Sequence, residues 1–119
     1  MSTIKVDTIK TTSNVEVFTC KAWVNFDGTT NTGGSCTIRA SGNVTSVTDN
    51  GTGDYTVNFT TAMTDVNYNA IVTSGLKGNT WGIHMQSLTA PTASAFRFLT
   101  VNTVDTPLDN SYVYASFFR

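Results

Sequence analysis

Residues 46–60 read SVTDNGTGDYTVNFT, and this stretch decides the fold class. Its second half places an apolar side chain at every other position: Tyr55, Val57 and Phe59. That period is typical of a strand with one buried face. Asn50 and Gly51 both tolerate positive φ, and they lie between this strand and the apolar segment 44–47. Asn-Gly between two extended segments is a strong hairpin signal, so we interpret the stretch as two strands joined by a turn.

The same stretch contains two acids and two glycines, which raises the alternatives of a calcium loop and a phosphate loop. A calcium loop of the EF-hand type needs side-chain oxygens at alternate positions and a glutamate at the twelfth. Gly51 and Gly53 stand at two of those positions, and no such glutamate follows. A phosphate loop needs Gly-Lys-Ser/Thr before a helix, and that motif is missing. The turn interpretation is favoured.

Eight short extended segments recur along the chain, with turn residues between them. They are 22–26, 36–40, 44–47, 55–60, 69–73, 83–88, 95–101 and 112–118. No long segment has the 3.6-residue apolar period of a helix. This pattern predicts an all-β protein, a small antiparallel β-sandwich of seven or eight strands. We assign 15–119 to the sandwich domain and 1–14 to an N-terminal attachment segment or edge strand.

Composition narrows the possible partners. Of the 119 residues only 13% are charged and the formal net charge is -1, so no basic surface for nucleic acid is expected. No apolar stretch approaches the roughly 20 residues that a membrane span needs. The first residues lack the apolar block of a signal peptide. We expect a soluble chain that does not insert into a membrane and is not exported by the general secretory route.

Groups that could perform catalysis are few. Cys20 and Cys36 have neither a CxxC spacing nor enough companions for a zinc site, and we expect two partly buried free thiols rather than a disulfide. His84 is the single histidine, expected on a solvent-facing strand position. The carboxylates mostly occupy turns, where Asp stabilises the backbone. The sequence thus predicts no enzyme, no metal and no cofactor.

The two tryptophans receive different interpretations. Trp23, beside Val24 and Phe26, is expected in the core. Trp81 closes the polar loop 74–80, and an aromatic ring beside amide and ammonium donors is one way to hold a sugar. The candidate glycan-binding residues are Lys77, Asn79 and Trp81. The alternative for Trp81 is burial in the core or at a subunit interface.

Several blocks of the sequence resemble one group of proteins. "STIKVDTIKTTSN", "AWVNFDGT", "TIRASGNVTSVTDNGTGDYTVNFTTAM" and "NYNAIV" are similar to a module of tailed-phage fibre and related virion structural proteins, especially those of phages of aquatic bacteria. The resemblance implies a β-sandwich knob, usually a homotrimer, that is displayed on the virion and faces the host receptor. The expected function is a non-enzymatic fibre tip that contacts the host surface, with a host-surface glycan as a possible receptor. The alternative is a decoration or cement protein of the capsid or tail.

The N-terminal segment is the expected attachment point in the virion. Ile4, Val6 and Thr8 alternate with Lys5 and Asp7 as in a short amphipathic strand. Such a strand can add to the sheet edge of another virion protein. An edge strand of the chain's own fold is the equally weighted alternative. The expected location is the virion, assembled in the host cytoplasm.

Overall fold

In the computed structural model, which describes residues 2–75, 84–86 and 89–119, every regular element is a β-strand. The strands are β1 (Cys20–Thr32), β2 (Ser35–Gly42), β3 (Val44–Gly51), β4 (Asp54–Phe59), β5 (Asn69–Gly75), β6 (His84–Gln86), β7 (Ala95–Val101) and β8 (Tyr112–Phe118). The prediction of a small antiparallel all-β fold is confirmed. Each predicted extended segment corresponds to one of these strands.

The eight strands form one antiparallel sheet in the order β5-β8-β1-β2-β3-β4-β7-β6. The junction of β2 with β3 consists of one registered pair, Ser35↔Thr48, and a bond of 2.9 Å from the Asp49 amide to the Gly34 carbonyl. We call the two halves of the sheet on either side of this narrow junction the β1 layer and the β4 layer. The β1 layer contains β5, β8, β1 and β2, and the β4 layer contains β3, β4, β7 and β6.

Aromatic side chains from both halves of the sheet pack together in the core. Phe26 of β1 packs against Tyr55 of β4 with ring centroids 5.1 Å apart, and Phe59 of β4 packs against Phe117 of β8 at 4.9 Å. These strands are not neighbours in the sheet order, so the contacts cross from one layer to the other. Burial of one such side chain stabilises the fold by about 1.5–3 kcal/mol. The predicted inward face of β4, namely Tyr55, Val57 and Phe59, is confirmed.

The turns agree with the glycine signals, with one shift. Gly33 and Gly34 close the β1–β2 hairpin with φ of 62° and 89°. The β3–β4 hairpin is also confirmed, but its turn is at Thr52-Gly53, where Gly53 has φ 65°, because Gly51 already pairs with Asp54. The expected turn residue Asn50 stays in β3.

The segment 27–34 lies between the predicted extended segments 22–26 and 36–40, and most of it is the extension of β1. Local side-chain bonds stabilise this irregular end of the strand. Asp27 accepts bonds from the amide and the hydroxyl of Thr29 at 2.9 and 2.6 Å. The Thr30 hydroxyl accepts a bond of 2.8 Å from the Thr37 amide across the hairpin. Polar side chains therefore support a bulged strand beyond the predicted extended segment 22–26.

Residues 2–19 form an exposed arm ahead of β1. The arm contains a small turn that is closed by backbone pairing. Lys10 and Glu16 form an isolated antiparallel β-bridge, and the Val17 amide donates to the Ile9 carbonyl at 2.7 Å. The radius of gyration is 15.7 Å, against roughly 13.5 Å for a compact chain of this length. Ile4, Val6 and Thr8 belong to no strand of the chain's own sheet. Their role in attachment stays a prediction.

Candidate binding site on the outer face of the sheet

On β3, β4 and β7 the outer face of the β4 layer carries polar side chains that bond to one another. The Asn58 amide donates to the hydroxyls of Ser46 and Thr48 at 3.1 and 2.9 Å. Arg97 binds Asp54 through two hydrogen bonds of 3.0 and 2.7 Å. Side chains that satisfy one another in this way gain little from a further partner. We call this surface the polar outer face.

The outer face of the β1 layer carries large apolar side chains instead. Its exposed members, which define the aromatic outer face, are Trp23, Ile71, Tyr112 and Tyr114. The prediction that Trp23 packs in the core is wrong, because 43% of its surface is accessible. Ala22, Val24 and Phe26 point inward from β1, so Trp23 between them must point outward.

The register of β1, β8 and β5 aligns the outward side chains in two rows. In one row Ser116 lies opposite both Trp23 and Ile71. In the next row Tyr114 lies opposite Asn25 and Thr73. Since neighbouring strands are about 4.8 Å apart, each row is roughly 10 Å long.

These rows line a shallow groove of about 350 Å³, which we call the Trp23 groove. Its lining residues are Trp23, Val24, Asn25, Ile71, Thr73, Tyr114, Ala115 and Ser116. The volume lies within the range of about 300–1,000 Å³ that small-molecule sites occupy. None of the lining side chains carries a charge, and aromatic, amide and hydroxyl groups alternate along the groove.

Two glycines lie beside aromatic residues of this face, and one of them allows the indole of Trp23 to lie across the sheet. Trp23 is paired with Gly42 in register, and a Cβ on Gly42 would lie 2.9 Å from the indole Cδ1 and closer still to Nε1. Tyr112 is paired with Gly75, where an added Cβ would lie 2.6 Å from the Tyr112 Cβ. The indole therefore occupies the space of the missing side chain on β2, which fixes one side of the ring and leaves the rest exposed.

Arg39 lies beside the groove and interacts with the polar residues next to it. Its guanidinium lies 4.3 Å from the ring centre of Tyr112, a cation–π contact. It also donates to Asn25 Oδ1 at 3.3 Å and lies 3.5 Å from a carboxylate oxygen of Asp27. These contacts hold Arg39 against β1 and β8, so the border of the groove is ordered by its own side chains.

A separate polar cluster lies beside the β3–β4 turn and stabilises the fold. The Tyr55 hydroxyl lies 3.0 Å from the Gly28 carbonyl oxygen and 3.1 Å from Asp109 Oδ1, two acceptors that share its one proton. The Gly53 amide donates to Asp109 at 2.7 Å. Burial and the Asp109 carboxylate raise the pKa of Tyr55 above its ordinary value. These bonds fasten the segment before β8 to the β3–β4 turn.

The thiols offer no reactive nucleophile in the core. Both cysteines are free, as predicted, but the expected partial burial is wrong, because Cys20 is exposed and Cys36 is buried. Burial, followed by the nearby Asp49, Asp109 and Asp27, raises the pKa of Cys36 to about 12. A thiol with that pKa stays protonated and unreactive at neutral pH. Within the described ranges, no three His, Cys, Asp or Glu side chains are close enough together to hold a metal ion.

The predicted glycan-binding residues Lys77, Asn79 and Trp81 lie outside the described residues. The predicted attachment residues are on the exposed arm, where Ile4 is 88% and Val6 57% accessible. The aromatic outer face and its groove were not predicted as a site. One signal was available: strict alternation on β1 and β8 assigns Trp23, Tyr112 and Tyr114 to the side opposite Phe26.

The chain matches no family model, no curated protein and no solved structure. The resemblance to phage fibre modules therefore stays a prediction. In the part of the chain that the structure describes, no helix has the length and apolar character to cross a membrane.

Proposed function

We propose that this chain is a non-enzymatic structural protein of a phage virion, a fibre tip whose aromatic outer face contacts the host surface. The observation that carries the proposal is the contrast between the two outer faces. Trp23, Tyr112 and Tyr114 project from rigid strands of one layer, whereas the other layer is covered by polar side chains bonded to one another. Tyr and Trp are the side chains most enriched where proteins make contact.

The exposed arm supports the second half of the proposal, which is attachment to another virion protein. Six of its apolar side chains are accessible: Ile4, Val6, Ile9, Val15, Val17 and Phe18. When a partner covers apolar side chains in an exposed arm, their removal from water stabilises the complex. In this proposal the arm binds the virion and the aromatic outer face is directed outward.

A homotrimer is part of the proposal and rests on the fibre resemblance together with the exposed arm. Three copies would display three aromatic outer faces from one fibre. Sedimentation at micromolar protein concentration tests this assembly. A trimer is the expected result, and a stable monomer would contradict it.

The matching experiment for the arm uses the double substitution Ile4→Asp and Val6→Asp, with Lys5→Ala as the control. We expect the double variant to fold normally, because both side chains are exposed, but to be missing from assembled virions. The control is expected to be incorporated like the unaltered chain. Normal incorporation of the double variant would remove the arm from the proposal.

A decoration protein remains the second candidate, because an apolar arm can equally fasten a cement protein to a capsid lattice. Imaging of virions that contain the chain separates the two functions. Density at the end of the tail distal to the capsid supports the fibre tip. Density repeated over the capsid lattice contradicts it and supports decoration.

A further inference from the structure

We infer that the Trp23 groove binds an uncharged pyranose sugar, with Trp23 as the stacking residue. This inference rests on the proposed host-contact function and names the ligand class of that face. It also assigns the sugar to the groove of β1, β8 and β5 rather than to the predicted residues Lys77, Asn79 and Trp81.

The Trp23 ring is suited to stack against a sugar. A sugar is recognised when an accessible aromatic surface meets its C–H groups, and the ring must be held in one orientation before binding to avoid an entropic cost. Trp23 meets both conditions, because its indole lies across Gly42 on one side and is 43% accessible. Tyr114 continues the aromatic surface from the neighbouring strand.

The polar atoms of the groove favour a ligand that carries hydroxyl groups. Within residues 2–75 and 89–119, the hydroxyls of Thr73 and Ser116 and the Nδ2 of Asn25 have no hydrogen-bond partner from the protein. They lie in the same two rows as Trp23 and Tyr114. A covering apolar segment would separate these atoms from water without replacing the lost bonds. The hydroxyls of a sugar restore the bonds, since each hydroxyl both donates and accepts.

The lining of the groove favours an uncharged ligand. No lining residue is ionised, and the nearby Arg39 is already engaged by Asp27 and the Tyr112 ring. An anionic sugar would find no unpaired cation in the groove. The inference is therefore limited to uncharged pyranoses, and binding is expected to change little with ionic strength, because salt screens charge interactions rather than stacking.

A single site of this kind binds weakly, with a dissociation constant of about a millimolar. Display of three copies on one fibre would raise the apparent affinity through effective concentration, by a factor of about 100 or more. Weak individual sites thus suffice for firm attachment to a surface that repeats the same sugar.

The test is a titration of the ¹⁵N-labelled chain with methyl glycosides of glucose, galactose, mannose and N-acetylglucosamine, with glucuronic acid as the anionic comparison. The chain has two tryptophans, and the variant Trp81→Phe identifies the indole N–H signal of Trp23. We expect at least one neutral glycoside to shift the Trp23 signal saturably, with the same affinity in Trp81→Phe. Glucuronic acid is expected to cause no such shift.

Two variants extend the test. Trp23→Ala should weaken binding at least about tenfold, and Gly42→Ala should weaken it without removal of the indole, because the added Cβ displaces the ring. Asn58→Ala, on the polar outer face, is the matched control and should bind normally. Unfolding curves show that each variant is folded before it is titrated.

Four results would overturn the inference: no shift with any neutral glycoside, stronger binding of the anionic sugar, loss of binding in Trp81→Phe but not in Trp23→Ala, or a changed oligomeric state in Trp23→Ala. The last would make the groove a subunit interface. Attachment of the labelled protein to host cells separates this failure from failure of the proposed function. A chain that attaches to cells without binding sugars keeps the function and loses the ligand class.

Discussion

The two outer faces of this protein are built on the same kind of scaffold and differ in how their side chains find partners. On the polar outer face, Asn58 and Arg97 donate hydrogen bonds to side chains of neighbouring strands. On the aromatic outer face, Trp23 and Tyr114 remain accessible on either side of polar atoms that the described chain leaves unpaired. The polar outer face is thus complete in water, whereas we propose that a partner completes the aromatic outer face.

Substitution of a core residue should cost far more stability than substitution of a residue on either outer face. Phe26 is fully buried and contacts the rings of Tyr55 and Phe98. Phe26→Ala should lower the free energy of unfolding by about 3–5 kcal/mol, because it leaves a cavity between the layers. Urea unfolding measures the loss, and Trp23→Ala on the outer side of the same strand is the control, with a cost of about 1 kcal/mol. Equal losses would mean that Trp23 is a structural residue.

A pair of tyrosines gives the next largest effect. Tyr55→Phe removes the buried hydroxyl that bonds the Gly28 carbonyl and Asp109, and should cost about 1–3 kcal/mol. Tyr114→Phe on the aromatic outer face should change stability by no more than about 0.5 kcal/mol. Thermal unfolding of the two variants side by side checks the difference. A large loss in Tyr114→Phe would show that its hydroxyl already has a structural partner.

Much of the fold follows from local sequence. Alternation in 55–60 and the Gly33-Gly34 pair act through residues close together in the chain, so the strands and hairpins could be predicted. The position of the β3–β4 turn could not, because Asn50 is held in its strand by side-chain bonds to Asp54 and Thr56. Whether Asn50 belongs to the strand or to the turn depends on which residues of β3 and β4 face each other, and the local sequence does not show this.

The Trp23 groove could not be predicted from the sequence for a different reason. Trp23, Ile71 and Tyr114 come from distant parts of the chain and meet only because β8 lies between β5 and β1. The glycine opposite Trp23 acquires its meaning from the same register. Alternation could have assigned Trp23 to the outer side, but the size of the residue favoured the core. Strand order, which no local pattern contains, assembles the site.

The polar outer face should tolerate change with a modest loss of stability. Asn58→Ala removes two bonds to Ser46 and Thr48 and should cost about 1 kcal/mol without an effect on attachment. Thr73→Ala in the groove should show the opposite pattern, with a stability change within about 0.5 kcal/mol and weaker attachment. Urea unfolding and cell attachment, measured for both variants, test the two patterns. Reduced attachment in Asn58→Ala would remove the distinction between the faces.

Acid gives the smallest expected effect and concerns the ion pairs. Hydrogen bonds from Arg97 lower the pKa of Asp54, and hydrogen bonds from Arg119 lower that of Asp65 to about 2, from 3.8. Because the folded pKa values lie below the unfolded one, these pairs stabilise the fold above about pH 4, and the contribution is lost as the pH falls towards 2. Urea midpoints over this range should fall less steeply in Asp65→Asn. An unchanged slope would contradict the assignment.

The most direct test of the account measures attachment to host cells and the free energy of unfolding for Trp23→Ala and Asn58→Ala together. Each substitution truncates one outward side chain, on opposite layers of the same molecule. The account predicts that Trp23→Ala loses attachment at least about tenfold while it stays folded. It predicts that Asn58→Ala attaches like the unaltered chain. Full attachment by Trp23→Ala, in a folded protein of unchanged oligomeric state, would contradict the claim that the aromatic outer face contacts the host.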